Sequence, residues 1–519
     1  MNPTPLDCRS CFAVPGLLYA ALFAPSLAAQ CSTQWLPGQG VPGVVVQGSP
    51  EVRAVTRWDP DGAGPAPSVV VLGGNFTTAG TVVANHIATY DPTSGVWSAL
   101  GQGMNGTVNA LTTLPNGDVV AGGSFTTAGG VAANNIARWD GTAWSPLGTG
   151  VNGGVYALTT LPNGDVVAGG LFLTAGGVSA MRIARWNGTW SAFGAGLMSN
   201  GPNDNVYALT TLPNGDLVVG GVFTMADGLS VNNIVRWDGT AWSPLGVAGL
   251  NYAVICLTLL PNGDLVAGGT FTVAGGVFAS RIARWDGTAW SPLGAGITNT
   301  VLALTTLPNG DVVAGGIFTT AGGVAANRIA RWDGGTWSSL GPGMNDFVWA
   351  LTTLPNGDVA VGGDFTTAGG NASAFFARLT TTCPATATPQ GTGCTGSGGP
   401  NVLTATALPW IGSTFRARAT GMPALGLVVA ATGLTTQSLP LSSLLPQGQP
   451  GCDLLVSPDL LDVLLPVAGT ADSQLALPNT PSLVGQSFHH QMVPLELDLS
   501  SAITAITSTN ALMATIGVF

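Results

Sequence analysis

The chain has 519 residues, a net charge of −11 and only 8% charged residues against 46% hydrophobic ones. That length leaves room for more than one domain and a large core, and the composition excludes a disordered chain. The acidic balance argues against nucleic acid or an anionic membrane as partner, because phosphate binding needs a basic surface.

In chain order, Arg9, the hydrophobic segment Cys11 to Pro25 and the small residues of SLAAQ read as an export signal over 1–29, cleaved near Ala28 or Ala29. The segment is too short to span a bilayer as a mature helix, and no later apolar run reaches the ~18 residues that spanning requires. The expectation is a monomer that is secreted or held at the cell surface, where disulfides form.

Beyond this point the chain copies itself. PNGDVVAGGSFTTAGG at 115–130 returns as PNGDVVAGGIFTTAGG at 308–323. A Gly-Gly pair followed by x-Phe occurs at Gly73, Gly122, Gly169, Gly220, Gly268, Gly315 and Gly362, at intervals of 49, 47, 51, 48, 47 and 47. A period of this length means a propeller or solenoid. The second copy contains four extended pieces: VNALTTL, DVVAGGSF, NIARWD and AWSPLG. Pro-Asn-Gly joins the first two and Asp-Gly-Thr the last two, both as tight hairpin turns. Glycine and β-branched residues break every helix a helical solenoid would need. The reading is an all-β, seven-bladed β-propeller over 31–383.

The seventh copy lacks its Trp-containing fourth strand, and QWLPG at 34–38 supplies the missing piece from the other end of the chain. A linear array would leave both pieces unpaired. Cys31 and Cys383 then fall where other blades have their Asp-Gly turn, which predicts a latching disulfide between them. Cys394 and Cys452 form a second pair. Cys256 takes a position held by Ala in other copies and reads as a buried free thiol.

The Gly pair with its following aromatic, and Tyr90 and Trp97 of IATYDPTSGVWSALG, resemble kelch-type β-propellers. The tighter Trp139-to-Trp144 spacing of the other complete copies is more similar to repeats of fungal cortical-marker proteins and predicted bacterial exported proteins. The resemblance runs from about Gln34 to Cys383. It implies a fold and no particular activity. The stretch 384–400 reads as a Thr/Gly/Pro-rich linker. Alternating segments such as FRARA and QLAL, and the ending NALMATIGVF, make 401–519 a small C-terminal β-sandwich, similar to modules appended to exported bacterial propeller proteins.

Rows of Trp on the third and fourth strands are best explained by packing between blades, since every blade has them. Arg138, Arg185, Arg236, Arg284, Arg331 and Arg378 match a row of Asp nearly one for one, which reads as structural pairing. Ligand recognition belongs where the copies differ. The loops between blades place Asn105, Asn152, Asn203, Asp204, Asn251, Asn345 and Asp346 on one rim. The variable position just inside each first strand holds Arg53, Asn109, Tyr156, Tyr207, Ile255, Leu302 and Trp349. This mixture around the channel mouth suits a glycan or an extracellular protein. No cofactor is expected, because metal-ligand spacing, a phosphate loop and a Ser-His-Asp signature are all missing from the sequence. The alternative is a carbohydrate-active enzyme using Asp-based or metal-assisted chemistry.

Overall fold

The computed structural model describes residues 33–36, 50–60, 68–198, 204–355, 357–381, 386–410, 413–478, 483 and 486–517. The signal segment, Cys31, Cys383 and Asn203 lie outside the described residues, and the predicted latch with them.

The second repeat shows how the sequence builds its unit. Thr107–Thr113, Val119–Ser124, Ile136–Trp139 and Trp144–Pro146 form a four-stranded antiparallel sheet in chain order. Valines on Val119–Ser124 are buried on both faces, which suits the β-branched side chains found there. In the first turn Asn116 donates to Asp118 Oδ2 at 2.8 Å, and in the second Asp140 Oδ1 accepts from the N–H groups of Thr142 and Ala143, each at 2.8 Å. The sequence thus closes its own hairpins with side chains that mimic backbone turns.

Among the described residues seven four-stranded sheets recur, and the protein is all-β and propeller-like, with a single helical turn at Leu441–Leu444. Each first strand runs beside the first strand of the next repeat, and Val348–Thr353 of the seventh lies beside Glu51–Trp58 of the first. The seventh sheet is completed by Thr33–Leu36, which pairs antiparallel with Phe376–Thr381 and sets Trp35 opposite Leu379. Trp35 is buried, and its Nε1 donates to Leu340 O at 2.8 Å, as Trp144 donates to Leu100 O and Trp190 to Leu147 O. The N-terminal strand therefore supplies to the seventh sheet what a chain-internal strand supplies elsewhere.

The Gly-Gly pair sets the spacing twice. A Cβ on Gly122 would lie 2.5 Å from Val155 Cγ1 of the next repeat, and one on Gly123 would lie 2.0 Å from Thr107 O in its own sheet. At the junction of the last and first repeats a Cβ on Gly362 would lie 2.4 Å from Val52 Cγ1. Only a residue without a side chain allows these approaches.

The remaining described residues form a second unit. Thr386–Gln390, Ala511–Thr515, Ser487–Leu497, Gly426–Gly433 and Leu460–Leu464 lie side by side in one sheet, and Val402–Ala407, Thr414–Thr420 and Thr470–Ala476 in another. Phe415 and Ala417 of the smaller sheet share a buried cluster with Val428, Phe488 and Met492 of the larger one. The stretch read as a linker thus contributes a strand, because Thr386–Gln390 finds an open edge at Ala511–Thr515. Cys394 and Cys452 are disulfide-bonded, with Cα atoms 5.6 Å apart, and Cys256 is a buried free thiol. Trp410 packs against the turn at Gly357 and joins the core of the seventh repeat, so the second unit sits on the tight-turn side.

Two stability outcomes follow. Trp35→Ala should lower unfolding free energy by about 3–5 kcal/mol in urea titrations, as for other large buried aromatics. Gly122→Ala should cost about 1–3 kcal/mol by overpacking, and Gly123→Ala should cost more, because it meets a carbonyl that cannot rotate away. A Trp35→Ala protein that melts like the parent would show that the N-terminal strand adds nothing to the seventh sheet.

Candidate functional site

Every first strand carries a register shift at one position. In the pairing with the second strand it falls between Val52 and Ala54, Val108 and Ala110, Val155 and Ala157, Val206 and Ala208, Val254 and Cys256, Val301 and Ala303, and Val348 and Ala350. The skipped residues are Arg53, Asn109, Tyr156, Tyr207, Ile255, Leu302 and Trp349, the set that varies between copies. A bulge re-aims one side chain out of the alternation of its strand. The second glycine of each pair makes room for it, since the carbonyl it accommodates lies at the bulge.

These side chains meet one another across repeats. Arg53 Nε lies 2.7 Å from Glu51 Oε1, its Nη1 donates to Asn109 Oδ1 at 3.1 Å, and its Cζ sits 5.9 Å from the Trp349 ring centroid. Trp349 Nε1 donates to Asp364 Oδ1 at 2.8 Å. Tyr156 and Tyr207 stack at 5.9 Å with 27° between ring planes, and Asn205 Nδ2 donates to Tyr207 Oη at 3.0 Å. Burial, opposed by that hydrogen bond, raises the Tyr207 phenol above its ordinary value. At the equivalent positions Ile255 is half-buried and Leu302 buried. Further along the strands, Thr112 and Thr160, Thr258 and Thr306, and Thr305 and Thr353 bridge neighbouring repeats through their hydroxyls at 3.1, 3.1 and 2.9 Å.

The loop asparagines have a structural part that the sequence reading did not give them. Asn105 Oδ1 accepts from the N–H groups of Thr126 and Thr127, each at 2.9 Å. Asn152, Asn251 and Asn345 make the same pair of bonds in their own repeats. Their carboxamide oxygens pin the rim loop and satisfy backbone donors that no strand partner reaches. Their repetition has a structural cause. Asp204 is buried, and Asp346 Oδ1 accepts from the Phe347 N–H at 2.9 Å.

Sequence reasoning missed Asp364 and Glu51. Asp364 fills the x of GGxF, which is Asn, Ser, Leu, Val, Thr, Ile or Asp across the repeats. That freedom was a readable sign of a second variable position, which in the seventh repeat meets the bulge residue Trp349. Burial raises the Asp364 carboxyl above its ordinary value; the Trp349 hydrogen bond and Arg53 oppose the rise, while Glu51 and Asp346 add to it. Perturbed carboxyls gather at functional sites, although structural ion pairs also perturb them.

The repeated rows are structural. Trp139 and Trp144 pack with ring centroids 5.4 Å apart, and the pairing recurs in later repeats. Arg138 reaches Asp118 at 2.5 Å, Arg185 reaches Asp165 at 2.6 Å and Arg378 reaches Asp358 at 3.3 Å, with matching pairs at Arg236, Arg284 and Arg331. His490 is buried between Thr432 Oγ1 at 2.8 Å and Ser473 Oγ at 2.7 Å, and burial pushes it down to about 4. Among the described residues no three His, Cys, Asp or Glu side chains are grouped to hold a metal, and no helix is long and apolar enough to cross a membrane.

Two family models match parts of the chain: the Rax2 C-terminal beta propeller domain over residues 63–140, and a beta-propeller domain of unknown function, DUF5122, over 212–237 and 260–285. No curated protein matches it. Similar solved structures include the WD40 beta propeller domain of Doa1, at 16% identity over 67% of this chain and 96% of that one, with a TM-score of 0.42. YCF48 bound to D1 peptide is similar at 16% identity over 68% and 96%, with a TM-score of 0.39. A catalytically inactive virginiamycin B lyase from Staphylococcus aureus is similar at 14% over 64% and 81%, with a TM-score of 0.30. The repeats are β-propeller repeats.

The carboxylates should titrate in opposite directions. Asp140, Asp238 and Asp286, each accepting turn N–H groups, are pulled down to about 2. Their stabilisation is complete above the unfolded carboxyl value and is lost as pH falls through about 2. Asp364 is shifted the other way, so its ionisation opposes folding as pH rises through its range, and Asp364→Asn should leave the protein as stable or more stable at pH 7. Trp349→Phe removes a lowering hydrogen bond and should raise the Asp364 value further. Carboxyl-carbon NMR titration reads all four; an Asp364 that titrates with Asp140 would remove it from the candidate site.

Proposed function

We propose that this chain is an exported, non-catalytic binding protein: a closed, seven-bladed, kelch-like β-propeller with a C-terminal β-sandwich, whose channel mouth recognises a segment of another extracellular protein. One observation carries the reading. In an otherwise repeated sequence, a bulge skips one residue per repeat, and that residue ranges over Arg, Asn, Tyr, Ile, Leu and Trp, more widely than any position after it in the strand.

The surface mixes charged groups at Glu51, Arg53 and Asp364 with aromatic rings and the half-buried Ile255. Such a mixture suits a peptide segment, with an apolar body and polar ends. A sugar needs an open aromatic face. Arg53 sits over one face of Trp349, and Tyr156 and Tyr207 lie against each other. Export is supported by the signal-like 1–29 and by the Cys394–Cys452 disulfide.

A second reading, a carbohydrate-active hydrolase, is favoured by the raised Asp364 carboxyl near Glu51, since glycoside cleavage uses one protonated and one ionised carboxyl.

A pull-down with the chain from residue 30 onwards, run beside a glycan array, separates these readings. Binding to a protein, lost in a Tyr156→Ala, Tyr207→Ala, Trp349→Ala triple variant that still melts cooperatively, supports the proposal. Protein binding that survives the triple variant overturns the site. Glycan turnover lost in Asp364→Asn transfers the site to the hydrolase reading.

A further inference from the structure

His490 lies in the core of the C-terminal unit and is 3% exposed. It belongs to Ser487–Leu497 of the larger sheet and faces the smaller one. Its Nδ1 is 2.8 Å from Thr432 Oγ1 in its own sheet, and its Nε2 is 2.7 Å from Ser473 Oγ in the other. The ring is thus a polar brace across the sandwich, set among Phe415, Ala417, Phe488 and Met492 and met edge-on by Phe415.

A neutral imidazole suits this place, because one ring nitrogen donates, the other accepts, and a hydroxyl can do either. An imidazolium would keep both hydroxyls as acceptors, yet it would be a buried charge without a counter-ion. The surrounding strands supply none. Gly426–Gly433 and Ala511–Thr515 contain no titratable side chain. On the smaller sheet Arg416, Arg418 and Asp472 are exposed, alternating with the buried Ala417 and Ser473. On its own strand His489 alternates to the opposite face, and Glu496 lies six residues on, where it accepts from the Ser397 N–H at 2.8 Å.

We propose that His490 is an acid trigger of the C-terminal unit: protonation of its ring parts the two sheets in mildly acidic surroundings and frees Trp410 from the seventh repeat, while the propeller repeats stay folded. Trp410 depends on the same strands. Its loop is tied by the Leu477 N–H to Ser413 O at 2.8 Å and by the Gly517 N–H to Pro409 O at 3.0 Å, just beyond Thr470–Ala476 and Ala511–Thr515.

The pH window follows from the direction of the shift. Burial pushes the ring down to about 4 from an ordinary 6.5. The unit is therefore at full stability above 6.5 and loses it as pH falls from there to about 4. Between pH 7 and pH 4.5 its unfolded-to-folded ratio should rise about fiftyfold. The turn carboxylates at about 2 titrate below this window. In the propeller His86 is lowered too, but Asp311 and Asp364 are raised, and their protonation on acidification favours the fold.

Methionine-methyl NMR of the full chain in urea reads both units at once: Met422 and Met492 are buried in the C-terminal core, Met104 and Met344 in the propeller. From pH 7 to pH 4.5 the urea midpoint at Met422 and Met492 should fall further than that at Met104 and Met344. His490→Gln keeps a donor and an acceptor and should abolish the difference, whereas His489→Gln should retain it. The Trp410 indole signal, assigned with Trp410→Phe, should change together with Met492. In the parent, with no substitution, the His490 ring should stay neutral down to about pH 4. A ring that titrates near 6.5 in the folded chain overturns the proposal. So does an equal fall in His490→Gln, a propeller midpoint that drops as far as that of the C-terminal unit, or a Trp410 signal that follows Met104.

Discussion

Two absent methyl groups per repeat govern the first 350 residues or so of this structure. The first glycine of each pair lets the next repeat's valine reach into contact, as Val155 does at Gly122. The second lets the carbonyl before the bulge fold over it, as Thr107 does at Gly123. One contact sets the distance between sheets and the other bends the strand within a sheet. The fold and the candidate site therefore share a cause: the geometry that packs the repeats also turns one residue of each toward its neighbours.

Repeated and varied residues divide the work. Trp144 and its equivalents, the Arg138–Asp118 type of ion pair, and the loop-pinning Asn105 type of amide recur because each sheet has the same needs. The bulge position and the residue after the glycine pair have no packing duty in common, and there the chemistry changes from repeat to repeat. Charge follows the same division. Turn carboxylates such as Asp140 are exposed and held ionised by N–H donors, while Asp364 is partly desolvated among other carboxylates.

Much of this was legible from spacing. The Gly-Gly period gave the repeats, Asn-Gly and Asp-Gly gave the turns, and the missing Trp strand of the last copy led to Trp35, which lies opposite Leu379. The bulge was not legible, because every copy contains it and a comparison among copies cancels what they share. The loop-pinning bonds of Asn105 were not legible because they depend on Thr126 and Thr127, which only folding brings near. Asp364 was missed because its neighbour Glu51 is separated from it by almost the whole repeat region. Thr386–Gln390 was hidden by composition: Thr, Pro and Gln suit a linker equally well, and only the open edge at Ala511–Thr515 makes a strand of it.

The pairing of Thr33–Leu36 with Phe376–Thr381 bears on how the molecule is made. Synthesis releases the first of these segments early and the second only after every repeat between them has emerged. Until then Trp35 has no sheet to enter, and each nascent intermediate carries an unfinished margin at both ends. Completion is thus registered at one place: a chain stopped short in any repeat leaves its leading strand without its partner, visible to the proteases and chaperones that police unpaired strands.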